Sequence, residues 1–529
     1  MYHKDVQSSD SSRVFSGGQV SRNLSVRVVV VVGRYGTQHT TELWSSIWTF
    51  WRVPDLHHSL ATTDRRIQTG TRDVRRATTY RLVCAGTGEI RRVGAMFGIV
   101  DHLKIKPFRS VKKTMDPSLS KLYPDLLEND NHFTCIEGYD DTDNNIVRTK
   151  FGDLIAFTNY SYLGLLKHPE ITDAVSSANL QFGSGALGAR FLSGTTSLHN
   201  DLETALSVFL GSEQTLTFSS GYTANMDVMR SLAGPEDVII LDQYSHTSTV
   251  EGSRLSGARI VYFKHNDVHD LARILTKTSL ELAESDGTRT IYVSVEGLYS
   301  MHGDIARLPQ ISALCRRFEK VVLLVDEAHS MGVLGRTGRG ILEHFRLEVT
   351  AVDFRTGTFS KAFPSVGGFV AGSQKAIRKL TMDAKSFMYS AGLSPLSAAA
   401  ALATIRLLSK GSERVSALHE RSRYLRRRLT EAGYVLPFAD ETPTVPIVCG
   451  TVDKATEASK YCRQQGLLVS SVFYPVVPQN YNLLRVSVTA RHTHAQIDRL
   501  VTVLSTAATR FELPGWGPRV GQCSAIAKL

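Results

Sequence analysis

Cysteine is scarce. The chain has six among 529 residues, Cys84, Cys135, Cys315, Cys449, Cys462 and Cys523, with no CxxC pair and no His/Cys cluster at zinc spacing. A disulfide framework and a structural zinc site are therefore not expected, and the spacing reads as reduced thiols of a cytoplasmic protein. Long hydrophobic runs are also missing. Runs such as residues 28–32 and 321–325 fall far short of the roughly 18–20 residues of a membrane span, so no transmembrane segment is expected. The chain contains no Gly-Lys dipeptide. Without a GxxxxGK[ST] phosphate loop, the DEAH tetrapeptide at Asp326, Glu327, Ala328 and His329 does not mark a nucleotide-driven motor. A dinucleotide fingerprint is only weakly matched by GSGALG (Gly183, Gly185, Gly188), because the preceding ITDAVSSANLQF reads as a helix where the fingerprint requires a strand.

The formal charge of +11 is concentrated at one end. Residues 1–95 carry thirteen Arg and one Lys against seven acids, net +7, which leaves +4 for the other 434 residues. A basic nucleic-acid surface does not follow from so balanced a body. The first ninety-five residues differ from the rest: Arg nearly excludes Lys, Ser and Thr abound, and no helical or strand period persists. Three readings stand for them: a start assigned too far upstream, an unstructured basic extension, or an organellar transit peptide.

An amphipathic pattern begins at Met96, and residues 96–150 read as an N-terminal arm. From Phe151 helix-like stretches alternate with short Val/Ile-rich runs: DVIILD (237–242), ARIVYF (258–263), RTIYVSVEG (289–297) and KVVLLVDEAH (320–329). Runs of this length suit strands buried on both faces of a mainly parallel sheet, which predicts an α/β/α three-layer domain over 151–410. Residues 391–409 have the composition of a long connecting helix. Beyond them TVPIVCG, LLVSSVFYP and LLRVSV, closed by a helix capped near Thr493, predict a smaller α+β domain over 411–511 and a tail over 512–529.

Chemistry concentrates at the ends of the apolar runs. Asp326 stands at the carboxyl end of VVLLV, where open α/β sheets place ligand sites. Lys361, in RTGTFSKAFPSVGGF, lies between an apolar aromatic flank and Gly367-Gly368, and a lysine desolvated there has a lowered pKa and can form a Schiff base. With an acid to keep a pyridine nitrogen protonated, such a lysine fits pyridoxal 5'-phosphate (PLP). Phosphate donors are available from the backbone of Ser220, Gly221 and Tyr222 at a helix start, and from the hydroxyls of Thr358 and Ser360. His246 follows DVIILD and can stack on the ring, although a histidine taken alone is more often structural.

In chain order these pieces resemble the α-oxoamine synthases, PLP enzymes of fold type I. The motifs are YSYLGL (160–165), GSGALGARFLSGT (183–195), HNDLE (199–203), SSGYTAN (219–225), SHTS (245–248), EGLYSMHGD (296–304), VDEAHSMGVLGRTGRG (325–340), GTFSKAF (357–363) and LLRVSVTARHT (483–493). The resemblance implies that Lys361 is the Schiff-base lysine and the base for the Cα proton. It makes Asp326 the partner of the pyridine nitrogen, His329 the partner of the ring hydroxyl and His246 the stacking ring. Arg485 becomes the clamp on the amino-acid carboxylate, with Tyr162 and Ser300 beside the substrate. A homodimer with shared sites is implied, in which Ser390 reaches the neighbour's phosphate. The reaction implied is decarboxylative condensation of serine, glycine or alanine with acyl-CoA or an acyl carrier protein. Serine palmitoyltransferase chemistry leads, 8-amino-7-oxononanoate synthase or 2-amino-3-ketobutyrate CoA ligase chemistry follows, and a non-catalytic partner subunit or an aminotransferase is the reading from another class.

Overall fold

The computed structural model describes the backbone of residues 26–37 and 40–51 and the full residues 134–140, 145–283 and 289–517. The chain divides into two compact units, Met1–Lys113 and Thr114–Leu529. In the first, β1 (Val26–Thr37) and β2 (Thr40–Trp51) form an antiparallel hairpin in unbroken register from Val26 opposite Trp51 to Thr37 opposite Thr40. No lasting period in residues 1–95 marks this hairpin, because its first strand carries a continuous valine run and no alternation. The rest of that segment, the amphipathic stretch that begins at Met96 and the tail beyond 517 lie outside the described residues.

The second unit opens with β3 (Ile136–Tyr139), β4 (Ile146–Thr149) and β5 (Gly152–Ala156). Seven strands then build one large sheet: β6 (Gln214–Phe218), β7 (Val238–Asp242), β8 (Arg259–Phe263), β9 (Ile291–Glu296), β10 (Val321–Asp326), β11 (Phe354–Thr358) and β12 (Gly368–Gly372). Their order is β6-β12-β11-β10-β9-β7-β8, parallel except at β12, which runs against both of its neighbours. The Val/Ile-rich runs of the sequence are β7 to β10, as expected. Successive side chains enter opposite faces: Val238 and Ile240 join one core, Ile239 and Leu241 the other. Helices cover both faces, which is why β7, β9 and β10 are mostly apolar, whereas β8, at the sheet edge, exposes Arg259 and Tyr262 and lacks the expected burial on both faces. Threonine-rich β6 and glycine-bounded β12 carry no such run and were not visible in the sequence.

The expected connecting helix spans Pro395–Lys410 and buries its alanine face in the core shared with helices Pro169–Phe182 and Ser197–Leu210. Past it, β13 (Thr444–Gly450), β14 (Leu467–Leu468), β15 (Ser470–Val472) and β16 (Asn482–Ser487) form the C-terminal layer, with β13-β16-β15 antiparallel. Helices Glu413–Glu431, Val452–Gln464 and His494–Arg510 close its core around Leu425, Ala455, Leu484 and Leu500. Thr493 and Gln496 make the expected capping box at the last helix. The chain does not part at 151. β14 pairs in parallel with β5, and Phe157 sits in the C-terminal core, so strands β3 to β5 extend the layer that the sequence placed over 411–511. Pairing across three hundred residues leaves no local period to read.

Candidate active site

Strands β6, β7, β9, β10 and β11 point their carboxyl ends to one edge of the sheet, and a cavity of about 250 Å³ opens there. The end of β6 delivers Ser220, whose hydroxyl accepts from Thr223 N at 3.1 Å and caps helix Gly221–Leu232. The first turn of that helix lines the cavity and presents unpaired backbone N–H groups and a positive dipole end to it. Gly221 is required by contact: a Cβ there would lie 2.7 Å from Thr358 Cβ. The close approach sets the helix start against the end of β11, where the Thr358 and Ser360 hydroxyls lie 2.9 Å apart. Tyr222 is 6.2 Å, edge to face, from His246.

Asp326, 6% exposed at the end of β10, accepts from Asn225 Nδ2 at 2.7 Å and from Ala328 N at 2.8 Å. It has no ion-pair partner among the described residues. Asn225 is fixed in turn by Thr356 and by Ser248, at 3.0 Å. The Ser248 hydroxyl meets His246 Nδ1 at 2.7 Å, so one chain of bonds orients both the buried carboxylate and the imidazole. Burial lowers the His246 pKa, and Lys361 adds to this against the pull of Asp326. The ring is therefore neutral at physiological pH, as a stacking partner should be.

Lys361 lies in the turn between β11 and β12 and lines the same cavity. Burial lowers its pKa, opposed by Asp326 and Glu296, with Arg485 lowering it further. A lysine held this way reaches its nucleophilic neutral form more readily than a solvated one. Glu296, 5% exposed at the end of β9, has its pKa raised well above the carboxylate range by burial and by Asp326. Its Oε1 has no hydrogen-bond partner among the described residues.

His329 Nδ1 lies 2.8 Å from the Tyr162 hydroxyl. Burial, with Lys361, Arg485 and His246 nearby, holds the imidazole well below its ordinary pKa. Arg485 comes from β16 and is 3% exposed. Its Nε donates to Ser300 O at 2.6 Å, one terminal nitrogen to Ser487 Oγ at 2.9 Å, and the other to Tyr162 and Thr444 hydroxyls, both at 3.2 Å. Tyr160 stacks 4.5 Å from the guanidinium, with Lys361 Nζ 6.0 Å from the same ring. No carboxylate of the described residues neutralises Arg485.

Of the sequence candidates, Lys361, His246, Asp326, His329, Ser220, Gly221, Tyr222, Thr358 and Ser360 line one cavity, and Arg485 with Tyr162 joins it through His329. Ser300 stands outside the cavity and touches Arg485 by its carbonyl. Ser390 is exposed and lies outside the cavity of its own chain. Sequence reasoning missed Asn225, Ser248, Glu296 and Thr444. The first three lie inside SSGYTAN, SHTS and EGLYSMHGD, yet a polar residue at a strand or helix end reveals its direction only in the fold.

The donors of the site test which group fits it. A buried carboxylate lacking a cation suits a protonated ring nitrogen, a helix start with two hydroxyls suits a phosphate, and a desolvated lysine between them suits an aldehyde. The family model for aminotransferase class I and II matches residues 152–504. The serine palmitoyltransferase of Bacteriovorax stolpii is 33% identical over 412 residues, 77% of this chain and 94% of that protein. The 8-amino-7-oxononanoate synthase of Thermoanaerobacter pseudethanolicus is 36% identical over 346 residues, 65% of this chain and 85% of its own length. Among solved structures, a serine palmitoyltransferase from S. paucimobilis with bound PLP-myriocin aldimine superposes with a TM-score of 0.69 at 31% identity, covering 75% of this chain and all of that one. From the model match, the relatives and the shared fold, this chain belongs to the aminotransferase class I and II family and, within it, to the α-oxoamine synthases.

Proposed function

We propose that the chain is a PLP-dependent C-acyltransferase that condenses a small amino acid with an acyl thioester and releases CO2. The observation that carries this reading is the meeting of Lys361, Asp326 and an uncompensated Arg485 around one buried site. Lys361 would hold the cofactor's aldehyde carbon, Asp326 its ring nitrogen, His246 its face and His329 its ring hydroxyl. Ser220, Gly221, Tyr222, Thr358 and Ser360 would hold its phosphate. When bound, the cofactor supplies an electron sink for charge on the substrate Cα.

Arg485 grips the amino-acid carboxylate, and Tyr160 stacked on it shields that end from water. Lys361 removes the Cα proton. The Cα carbon then bonds to the thioester carbonyl, the thiolate leaves, the C–CO2 bond breaks and a proton returns to Cα. Early grip of the carboxylate decides which Cα bond breaks first, which orientation within a closed site supplies. Serine with an acyl-CoA or acyl carrier protein is the pairing we favour, because serine palmitoyltransferases are among the solved structures that this fold superposes on. Glycine or alanine is the alternative, consistent with the oxononanoate synthases at 36% identity.

The working unit in this reading is a homodimer in which Ser390 completes the neighbour's phosphate site. Leu187, Leu192 and Tyr389 are strongly exposed near the bridge that joins Ala189 to Ala391, an apolar surface suited to a second copy. A cytoplasmic location is supported by four described cysteines without disulfides, and no helix of the described residues is long and apolar enough to cross a membrane.

The test offers holoenzyme serine, glycine or alanine, each with an acyl-CoA or an acylated carrier protein, and measures CO2 and free thiol. Equal release of both supports the assignment. A keto acid formed without any thioester would replace it with aminotransfer.

A further inference from the structure

The carboxylate clamp is held from behind by a second buried cluster whose residues do not line the cavity. His265, just past β8, places Nδ1 2.9 Å from Asp242 Oδ1 and Nε2 3.0 Å from Asp304 Oδ2. The two carboxylate residues are 0% and 1% exposed. Next along the chain, Asn266 adopts φ 52° and donates from its backbone to Asp242 Oδ2 at 2.8 Å. Its side-chain amide donates to Asp304 Oδ2 at 3.0 Å and to Ile305 O at 2.9 Å, and its oxygen accepts from Arg307 N at 3.0 Å. Together these bonds staple the segment 299–307 to the carboxyl ends of β7 and β8.

The same segment carries the clamp. Tyr299 N donates to Asp304 O at 3.0 Å and Gly303 N to Tyr299 O at 2.9 Å, closing a tight turn whose Ser300 carbonyl takes the 2.6 Å bond from Arg485 Nε. At φ 74°, Gly303 passes so close to β13 that a Cβ would fall 2.2 Å from Thr444 O. Thr444 in turn offers its hydroxyl to the other side of the guanidinium. The turn and β13 therefore set the direction of Arg485 from two sides, and the turn is fixed by His265 and Asn266.

We propose that His265, with Asn266, is a positioning residue for the amino-acid carboxylate clamp: it bridges two buried carboxylates so that the Ser300 carbonyl stays where Arg485 needs it. The proposal rests on Arg485 being that clamp. A doubly bonded imidazole between two buried acids is charged, and without it the carboxylates repel in a medium of low dielectric. Movement of Asp304 draws the turn and its Ser300 carbonyl away, and the arginine fork loses its orientation while the chemistry at Lys361 keeps its geometry.

The experiment compares His265→Gln, Asn266→Gly and the double variant His265→Gln/Asp304→Asn with the unaltered holoenzyme, using Arg485→Lys as the benchmark. Amino-acid Kd by calorimetry, KM for both substrates, kcat and thermal unfolding are measured. In His265→Gln and Asn266→Gly the amino-acid Kd and KM should rise about tenfold, with kcat at saturation within about threefold and the thioester KM unchanged. The double variant, which removes one carboxylate charge and keeps complementary amides, should recover most of the affinity. Glycine at 266 keeps the positive φ, so that variant carries the test if His265→Gln does not fold. Affinities within about twofold of wild type in the folded variants, beside a weakened Arg485→Lys, overturn the proposal alone. A parallel fall of kcat and both affinities with loss of folded protein overturns it as a purely structural role. An Arg485→Lys enzyme of unchanged affinity removes the clamp reading and this inference with it.

Discussion

Replacing Arg485 by lysine tests the clamp at the atom level. The guanidinium carries five N–H donors, and the structure uses four of them on Ser300 O, Ser487 Oγ and the hydroxyls of Tyr162 and Thr444. The two contacts at 3.2 Å are the weakest, so an incoming carboxylate takes its second oxygen contact by displacing Tyr162 or Thr444. Lysine brings one nitrogen and cannot span Ser300 and a carboxylate with a rigid fork. One charge-assisted bond is lost, worth about 1.5–3 kcal/mol. That corresponds to an amino-acid Kd raised about 10- to 150-fold. Cofactor affinity should change little, because the bonds of Arg485 go to Ser300, Ser487, Tyr162 and Thr444 and to none of the phosphate donors. The assay is titration of the holoenzyme with serine, glycine and alanine, followed by the cofactor's absorbance. An unchanged Kd in both Arg485→Lys and Arg485→Ala would refute the assignment.

Purified protein should be yellow, and Lys361→Ala should abolish both that absorbance and condensation; a variant retaining either removes Lys361 from its role. Asp326→Asn should bind the cofactor yet exchange the amino-acid Cα proton with deuterium far more slowly, because an amide cannot keep the ring nitrogen protonated; exchange at the wild-type rate contradicts this. Arg355→Met should destabilise the fold by about 3–5 kcal/mol, since it strands Glu327 as a buried charge. The pair lies 2.7 Å apart at 3% and 0% exposure, and denaturant unfolding should show recovery in the Glu327→Gln/Arg355→Met double variant. Stability should also fall on both sides of neutral pH. Burial opposes protonation of His265, but its bonds to Asp242 and Asp304 lift its pKa to about 9, so its contribution, about 3 kcal/mol, is complete below about pH 6.5 and lost as pH rises through 9. Burial lowers His302 to about 4, so its contribution is present above pH 6.5 and lost as pH falls toward 4. Unfolding curves at pH 5, 7 and 9.5 check this, and His265→Gln should flatten the alkaline limb.

By itself the sequence determined the alternation of apolar runs and helices, and with it the three-layer class. Most strands buried on both faces are apolar runs, and such a run is a local signal; β6 and β11, buried yet rich in Thr and Gly, carry none. Residues at the ends of those runs were legible for the same reason: Asp326 closes VVLLV, His246 follows DVIILD, and Lys361 sits just past the strand that ends at Thr358. Only tertiary structure decided the rest. The placement of β12 against β6 and β11, the joining of β5 to β14 and the burial of Glu296 beside Lys361 come from segments remote in sequence. The four-sided hold on Arg485 does too, drawing on Tyr162, Ser300, Thr444 and Ser487. Hydrophobic periodicity records which way a side chain faces its own element, whereas a polar side chain acquires its partner, and so its charge and role, only when distant backbone brings that partner to hydrogen-bonding distance.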